Sequence, residues 1–201
     1  MNKYPKRKQI RLKNYDYSQP GYYYITICID NRECIFGDII DNRIYLNNVG
    51  KMVDQTLRTL PEYYQNITID NYIVMPNHIH GIIQIVGAGF PCPNNIINQS
   101  IHNHDNNNPI NGRGNHAPTI NYIIGYFKYQ STKQINKLQN TPGKKIWQRS
   151  FYDHVIRTND SLNKIREYIV NNPATWVNDE HNIINYSIED KACLVPTGYL
   201  L

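Results

Sequence analysis

Two histidines stand one residue apart in the stretch "YIVMPNHIHGIIQIV", which otherwise has the β-branched composition of a buried strand. Side chains alternate across a strand, so we expect His78 and His80 on one face, while Ile79 anchors the strand from the other. Two neutral imidazoles at this spacing can bind one divalent ion. The pattern is short, however, and surface or hydrogen-bonded histidines share it, so a metal site requires further ligands.

A tyrosine and an amide share a predicted helix face near the other end of the chain. In "REYIVNNP", Asn172 follows Tyr168 by four positions, which places the two side by side on a helix. Tyrosine is a weak nucleophile at neutral pH because its pKa is about 10, so attack on phosphorus would need a metal ion that polarises the phosphate. His78, His80 and the Asn172 oxygen could hold that ion. Alternatively, Tyr168 is an ordinary half-buried residue and Asn172 ends the helix before Pro173.

Other tyrosines compete for the role of nucleophile. Tyr122, Tyr126 and Tyr129 form a stripe on a predicted helix, where they could stack on bases or simply pack. None of them has an Asn or Gln placed like Asn172, which follows the tyrosine by four positions in a helix that ends at Asn-Pro. Tyr152 and His154, in "SFYDHVIR", also stay outside the predicted catalytic set.

The elements around the histidine pair predict a sheet. The run "GYYYITICID" predicts a strand, and "IFGDIIDNRIYLN" predicts a hairpin. Apolar residues at helical spacing from Val49 to Leu60 predict an amphipathic helix, with Asn47 or Asn48 as its cap. The runs "NITIDNYIVM" and "NHIHGIIQIV" then predict two adjacent strands joined by a tight turn at Met75-Pro76-Asn77.

Two more helices are predicted after a long polar insert. Periodicity returns from Ile120 to Leu138, and a shorter helix begins at Thr158 or Asp160 and is closed by Pro173. The order of elements predicts an α+β fold, of ferredoxin-like or RRM-like type, with an antiparallel sheet and helices packed on one face.

The insert, residues 87–118, is rich in Asn and lacks any periodic apolar pattern, so we predict a flexible loop. Its three histidines are possible metal ligands, but a flexible polar loop does not hold ligands in a fixed geometry. We therefore leave His102, His104 and His116 out of the predicted site.

Charge and cysteine content indicate which kind of partner and which cellular compartment to expect. The net charge is +5, and residues 1–13 carry six basic side chains and no acid, which fits either an arm that follows phosphates or a solubilising tail. Four cysteines are scattered without a CxxC pair, which argues against a zinc ribbon or a disulfide framework. With no apolar run of membrane-spanning length, we expect a cytoplasmic protein.

Three motifs in order make the pattern specific: "NYDYSQPGYYYITICIDNRECIFG", "YIVMPNHIHGII" and "IWQRSFYDHVIRTNDSLNKIREYIVNNPATW". Together they resemble the REP-associated tyrosine transposases, a branch of the single-tyrosine HUH transposases that includes insertion-sequence 200/605-like enzymes. The resemblance runs from about Asn14 to Trp176 and is interrupted by the insert. It implies the HUH endonuclease fold, with a basic arm at 1–20, the transposase domain at 21–176 and a tail at 177–201.

The resemblance also implies roles for the two motifs. In that family, two histidines flanking a hydrophobic residue bind a divalent ion, a helical tyrosine attacks a DNA phosphate, and a Gln or Asn four residues later completes the metal site. By position, His78, His80 and Asn172 would bind Mg²⁺ or Mn²⁺. Tyr168 would be the nucleophile, and cleavage would pass through a 5′-phosphotyrosine.

The implied partner is single-stranded or hairpin-forming DNA, which would place the protein at the nucleoid. The resemblance allows either a monomer or a dimer that exchanges the tyrosine helix between subunits, so the oligomeric state stays open. Basic residues on the arm and around the long helix are expected to contact DNA: Lys6, Arg7, Lys8, Arg11, Lys128, Lys133 and Arg149. Two alternatives stay open: a domesticated hairpin-binding protein that no longer cuts, and a metallohydrolase that uses water as its nucleophile.

Overall fold

The computed structural model describes residues 15–87 and 119–182. The predicted DNA contacts Lys6, Arg7, Lys8 and Arg11, and the insert histidines, lie outside these ranges. None of the described helices has an apolar stretch long enough to cross a bilayer.

A four-stranded antiparallel sheet forms the centre of the fold. Its strands lie in the spatial order β4, β5, β1, β6, with bounds β1 Gly21–Cys28, β4 Ile67–Val74, β5 His78–Ile85 and β6 Tyr152–Ile156. A separate two-stranded hairpin follows β1, with bounds β2 Gly37–Ile40 and β3 Arg43–Leu46. The predicted α+β class is confirmed.

Four α-helices accompany the strands: α1 Asn48–Arg58, α2 Leu60–Tyr63, α3 Ile120–Gln139 and α4 Asn159–Thr175. The predicted cap of α1 is confirmed, because the Asn47 side chain accepts hydrogen bonds from the backbone N–H groups of Val49 and Gly50. Thr158 caps α4 in the same way and accepts from the N–H of Ser161. These caps fix where each helix begins.

Apolar side chains cover both faces of the sheet. Ile79 and Ile83 of β5 point into the main core, which α1 and α3 cover. The opposite face, which carries the histidine pair, holds a smaller cluster made by Ile82, Ile156, Leu162 and Ile169. The helices α1 and α3 therefore share one face, whereas α4 packs on the other, so the prediction that the helices lie on one face is wrong for α4.

The structure also differs from the predicted elements at β6, at Pro173 and at Tyr17. Strand β6 was not predicted, because its five residues alternate between exposed and buried within a polar connection. Pro173 does not close α4, which continues to Thr175; near the C-terminal end, proline removes one hydrogen bond without breaking the helix. Tyr17, which falls in the predicted arm, is buried in the main core beside Tyr23.

A β-bulge in β4 ties α4 to the edge of the sheet. The pairing with β5 shifts between Ile69 and Asn71, and the residue between them, Asp70, accepts two hydrogen bonds from the Arg166 guanidinium, one of them at 2.7 Å. The Asn71 side chain also donates to the Arg166 carbonyl at 3.4 Å. The bulge thus anchors the middle of α4.

Two helical glycines form a matched pair that tests the packing of α1. A Cβ at Gly50 would overlap the Phe36 carbonyl oxygen, whereas a Cβ at Gly125 in α3 would meet nothing within 4 Å. Ala favours a helix over Gly by about 0.5–1 kcal/mol, so Gly125→Ala should raise the free energy of unfolding by that amount. Gly50→Ala should lower it by about 1–3 kcal/mol through overpacking. Urea unfolding would measure both, and a similar gain in both variants would contradict the close approach of α1 to Phe36.

Candidate active site

The two imidazoles of β5 face each other. The Nε2 atoms of His78 and His80 lie 3.0 Å apart, and both side chains are buried. Nitrogen ligands at adjacent corners of an octahedron, each about 2.1 Å from the metal, are also separated by about 3 Å. The spacing of the pair therefore fits one shared divalent ion.

Hydrogen bonds to the far nitrogens orient both rings. The Nδ1 atom of His78 lies 2.9 Å from the Asn77 amide oxygen, which can only accept, so this nitrogen carries the proton. The Nδ1 atom of His80 lies 2.8 Å from the Tyr24 hydroxyl and 3.0 Å from that of Thr26. Partners of this kind set the tautomer and turn the Nε2 lone pairs toward a metal.

Burial keeps the pair uncharged. Desolvation lowers the pKa of His78 well below its usual value, and the neighbouring His80 and His181 lower it further. For His80, burial followed by the charge of His181 lowers the pKa to about 3. Both imidazoles are therefore neutral at physiological pH, which is the form that binds metals.

A carboxylate that the sequence analysis missed completes a cluster. Asp179 follows the short turn Trp176–Asn178 after α4, and a carboxylate oxygen of this buried residue and ring nitrogens of His78 and His80 all lie within 4.8 Å of one another. Its Oδ1 accepts from the backbone N–H of His181 at 2.6 Å, which fixes the carboxylate. A His-His-Asp set of this kind can hold a divalent metal ion.

His181 is a third imidazole beside the pair. Its ring centroid lies 4.6 Å from that of His78, and its carbonyl accepts from the Asn77 amide at 2.8 Å. Asn77 thus holds both His78 and the segment after α4. The acidic and histidine-containing string "NDEHN" was the available signal for this segment, but nothing in its spacing indicated that it returns to the sheet.

The structure brings Tyr168 to the histidine pair. Its hydroxyl lies 3.4 Å from the Nε2 atom of His80, and its side chain is half exposed. Burial and the charge of Asp179 raise the pKa of Tyr168, while the Asn172 amide opposes them. The phenol is therefore protonated at neutral pH, and it needs a neighbouring positive charge to act as a nucleophile.

The amide of Asn172 is buried next to the histidine pair. The residue is 1% exposed, and neither atom of its amide makes a hydrogen bond of ordinary geometry. It lies on the face of α4 between Tyr168, which contacts His80, and the region of Trp176, whose ring lies 6.0 Å from that of His78. A buried amide without a partner is costly, and a metal ion would provide one for its oxygen. The donor set of two imidazoles, a carboxylate and an amide oxygen therefore fits a divalent ion.

The rival tyrosines lie elsewhere. Tyr126 packs against Tyr63 and Tyr64, and Tyr122 contacts Tyr64, all on the α3 side of the sheet. Tyr129 is exposed on the same helix. The sheet separates these side chains from the histidine pair, so proximity favours Tyr168 alone among the four candidates.

The predicted basic residues on α3 and on the segment after it line a groove. Lys128, Lys133 and Arg149 line this groove of about 370 Å³ together with Tyr129. The Lys128 ammonium donates to the carbonyls of Gln148 at 2.9 Å and Ser150 at 3.0 Å. Gln148 lines both the groove and the cleft that contains Tyr168 and His80, so the two are neighbours.

Comparison with known proteins gives two sequence relatives and a structural neighbour. No protein-family model matches the chain. An uncharacterized protein of Haemophilus influenzae is 37% identical over 181 residues, which cover 87% of this chain and 92% of that protein. Another protein of the same organism, named "Putative REP-associated tyrosine transposase", is 26% identical over 173 residues, covering 81% and 77%. A solved structure titled "Structure of the REP associates tyrosine transposase bound to a REP hairpin" gives a TM-score of 0.48 at 16% identity, over 82% of this chain and 73% of that one.

Fold and site together define an α+β protein in which a buried histidine pair on a central strand faces a helical tyrosine. The chain belongs to the family of the uncharacterized Haemophilus protein. The predicted resemblance to REP-associated tyrosine transposases is confirmed by the second sequence match.

The carboxylate of Asp179 offers a direct test of the metal site. Asp179→Asn keeps the size of the side chain but removes its charge, so we expect Mn²⁺ affinity to fall by at least about tenfold. Asp160→Asn changes the same charge at an exposed position in the first turn of α4 and should leave the affinity unchanged. Isothermal titration with Mn²⁺ would measure both. Equal affinities in the two variants would remove Asp179 from the ligand set.

Proposed function

We propose that this protein is a transposase-type enzyme that nicks and joins single-stranded DNA, with Tyr168 as its nucleophile. The observation that carries the proposal is the position of the Tyr168 hydroxyl, 3.4 Å from an imidazole of the buried cluster formed by His78, His80 and Asp179. Because its pKa is raised, the phenol of Tyr168 would become a nucleophile here only if the cluster binds a cation.

His78, His80, Asp179 and Asn172 would hold the ion, for which Mg²⁺ and Mn²⁺ suit the mixed nitrogen and oxygen donors. When bound, a divalent ion draws charge from the phosphate oxygens and so makes phosphorus open to attack. Asn77, Tyr24 and Thr26 orient the imidazoles through their far nitrogens.

The proposed reaction exchanges one phosphate ester for another. The Tyr168 oxygen forms a bond to phosphorus as the bond from phosphorus to the 3′ oxygen of the preceding nucleotide breaks. The phenol loses a proton and the leaving 3′ oxygen gains one. The products are a 5′-phosphotyrosine and a free 3′-OH, which can attack in the reverse direction and reseal a strand. Because the ester bond is conserved, the reaction needs no nucleotide triphosphate.

The basic groove supports a nucleic-acid substrate. Lys133 and Arg149 line it, and Gln148 lines both this groove and the cleft beside Tyr168. Cationic grooves that lead into a site with a phosphate-directed nucleophile are expected to follow a single-stranded backbone. The sequence match to a putative REP-associated tyrosine transposase supports a repetitive DNA element as the target. We propose a hairpin-forming or repetitive DNA end as the substrate of this chain.

Two rivals lead to different products. A domesticated hairpin-binding protein would bind the same DNA without forming an adduct, although retention of Tyr168 beside a complete ligand set argues against it. A metallohydrolase would cut through a water molecule and also leave no covalent protein–DNA species. The chemical nature of the product therefore separates all three functions.

The nucleophile is tested by removing one oxygen atom. Incubated with Mn²⁺ and single-stranded DNA from the ends of its own element, the wild type should form an adduct that survives denaturation. Tyr168→Phe should abolish both the adduct and the nick, by at least about a thousandfold, because the attacking atom is gone. Binding of the same DNA should stay within about threefold, since phosphate contacts supply most of the affinity.

Tyr122→Phe is the matched control, because Tyr122 is about equally exposed but lies on α3, on the opposite side of the sheet from the cluster. It should form the adduct at the wild-type rate. Denaturing electrophoresis and mass spectrometry of the tryptic peptide at 167–191 would locate the phosphotyrosine. Nicking without an adduct by Tyr168→Phe would assign the reaction to water.

A further inference from the structure

A cleft of about 310 Å³ opens beside the candidate nucleophile, on the face of the sheet that carries the histidine pair. One wall is made by Tyr168 and His80, and the opposite side is made by the segment that leads into β6. The residues of that segment that matter here are Gln148, Ser150, Phe151 and Tyr152. A volume of this size can hold a single nucleotide unit.

Tyr152 is held in place at the edge of this cleft. It lies on β6 opposite Thr26 of β1, so the sheet fixes its backbone. Its ring meets that of Tyr24 edge to face at a centroid distance of 6.2 Å, and Tyr24 in turn stacks on His80 at 5.7 Å. A row of three rings therefore runs from the metal-site imidazole to the rim of the cleft.

The exposure of Tyr152 has no explanation within the described part of the fold. Its side chain is 49% exposed, and its hydroxyl makes no hydrogen bond to any described residue. The neighbouring Phe151 is buried and packs in the main core, which holds the start of the strand. A rigid aromatic ring that is half open to solvent, beside a site that acts on nucleic acid, offers a surface on which a base can stack.

The other side chains of the cleft suit the edge of a base. Gln148 offers an amide and Ser150 a hydroxyl, each able to donate and accept a hydrogen bond. Lys128 holds the backbone carbonyls of both residues, so their positions are fixed. The basic groove continues from the same segment and would receive the phosphates on that side.

From these contacts we infer that the cleft is a base-binding subsite, in which Tyr152 stacks on an unpaired base of single-stranded DNA next to the scissile phosphate. The inference rests on the proposed function and deepens it, because it names the feature of the substrate that the cleft recognises. Tyr152 would be a positioning and specificity residue. It presents no atom to the reacting phosphate.

The affinity test uses the Tyr168→Phe protein, so that no cleavage disturbs the measurement, and a short fluorescent oligo(dT) at one fixed salt concentration. Tyr152→Ala should weaken binding by about tenfold, which is typical of the loss of one stacked base. Tyr152→Phe keeps the ring and should bind within about twofold of the parent. Tyr45→Ala, which removes a comparably exposed ring on β3, should have no effect.

Cross-linking locates the base without relying on affinity. Oligo(dT) that carries one 5-iododeoxyuridine, irradiated in complex with the Tyr168→Phe protein, should cross-link to the tryptic peptide at 150–157, in which Tyr152 is the only tyrosine. The cross-link should persist in Tyr152→Phe and disappear in Tyr152→Ala. Circular dichroism of each variant would show that its fold is retained.

The outcomes separate this inference from the proposed function. Unchanged oligo(dT) affinity in Tyr152→Ala, or a cross-link confined to other peptides, overturns the base subsite, even if the wild type forms its adduct through Tyr168. A cross-link at 150–157 in a protein whose wild type forms no adduct supports the subsite and rejects the nucleophile. Failure of the Tyr168→Phe protein to bind oligo(dT) at all overturns the subsite.

Discussion

The pairing of β1 with β5 is the constraint on which the candidate site depends. In this register Thr26 lies opposite His80 and Cys28 opposite His78, so the hydroxyl of Thr26 reaches the far nitrogen of the imidazole across the strand. A slip by one residue would turn both histidines into the main core. Ile79 and Ile83 prevent the slip, because both are almost completely buried on the other face.

The same sheet places Tyr168, the proposed nucleophile. Strand β6 pairs with β1, and α4 begins almost directly after it, capped by Thr158. The helix then crosses the histidine face and reaches β4 at the opposite edge, where Arg166 binds Asp70. The distance between Tyr168 and His80 is therefore set by a helix that is held at both edges of one sheet, rather than by a direct bond between the two residues.

The parts of the site that were predicted from sequence depend on local periodicity. Alternation along a strand placed His78 and His80 on one face, and helical spacing placed Asn172 beside Tyr168; both arrangements are present in the structure. The cap at Asn47 was also predicted, because capping depends on a few adjacent residues. Whether these site residues perform the predicted chemistry stays a prediction.

What could not be predicted depends on contacts between distant parts of the chain. Asp179 reaches the histidines only because the chain turns back after α4 and the Asn77 side chain holds the carbonyl of His181. Strand β6 is recognisable only through its partner β1, and the position of α4 on the histidine face follows from a small apolar cluster shared between β5, β6 and the helix. No pattern within one segment carries this information.

The β-bulge at Asp70 affects the exposed edge of the sheet as well as α4. Strand β4 is one of the two edges of the sheet, and its unpaired backbone groups could template an additional strand from another molecule. The register shift breaks the regular spacing of those groups, and the ion pair between Asp70 and Arg166 adds charged groups at the same place. The irregularity that holds α4 therefore also protects this edge of the sheet against pairing with another molecule.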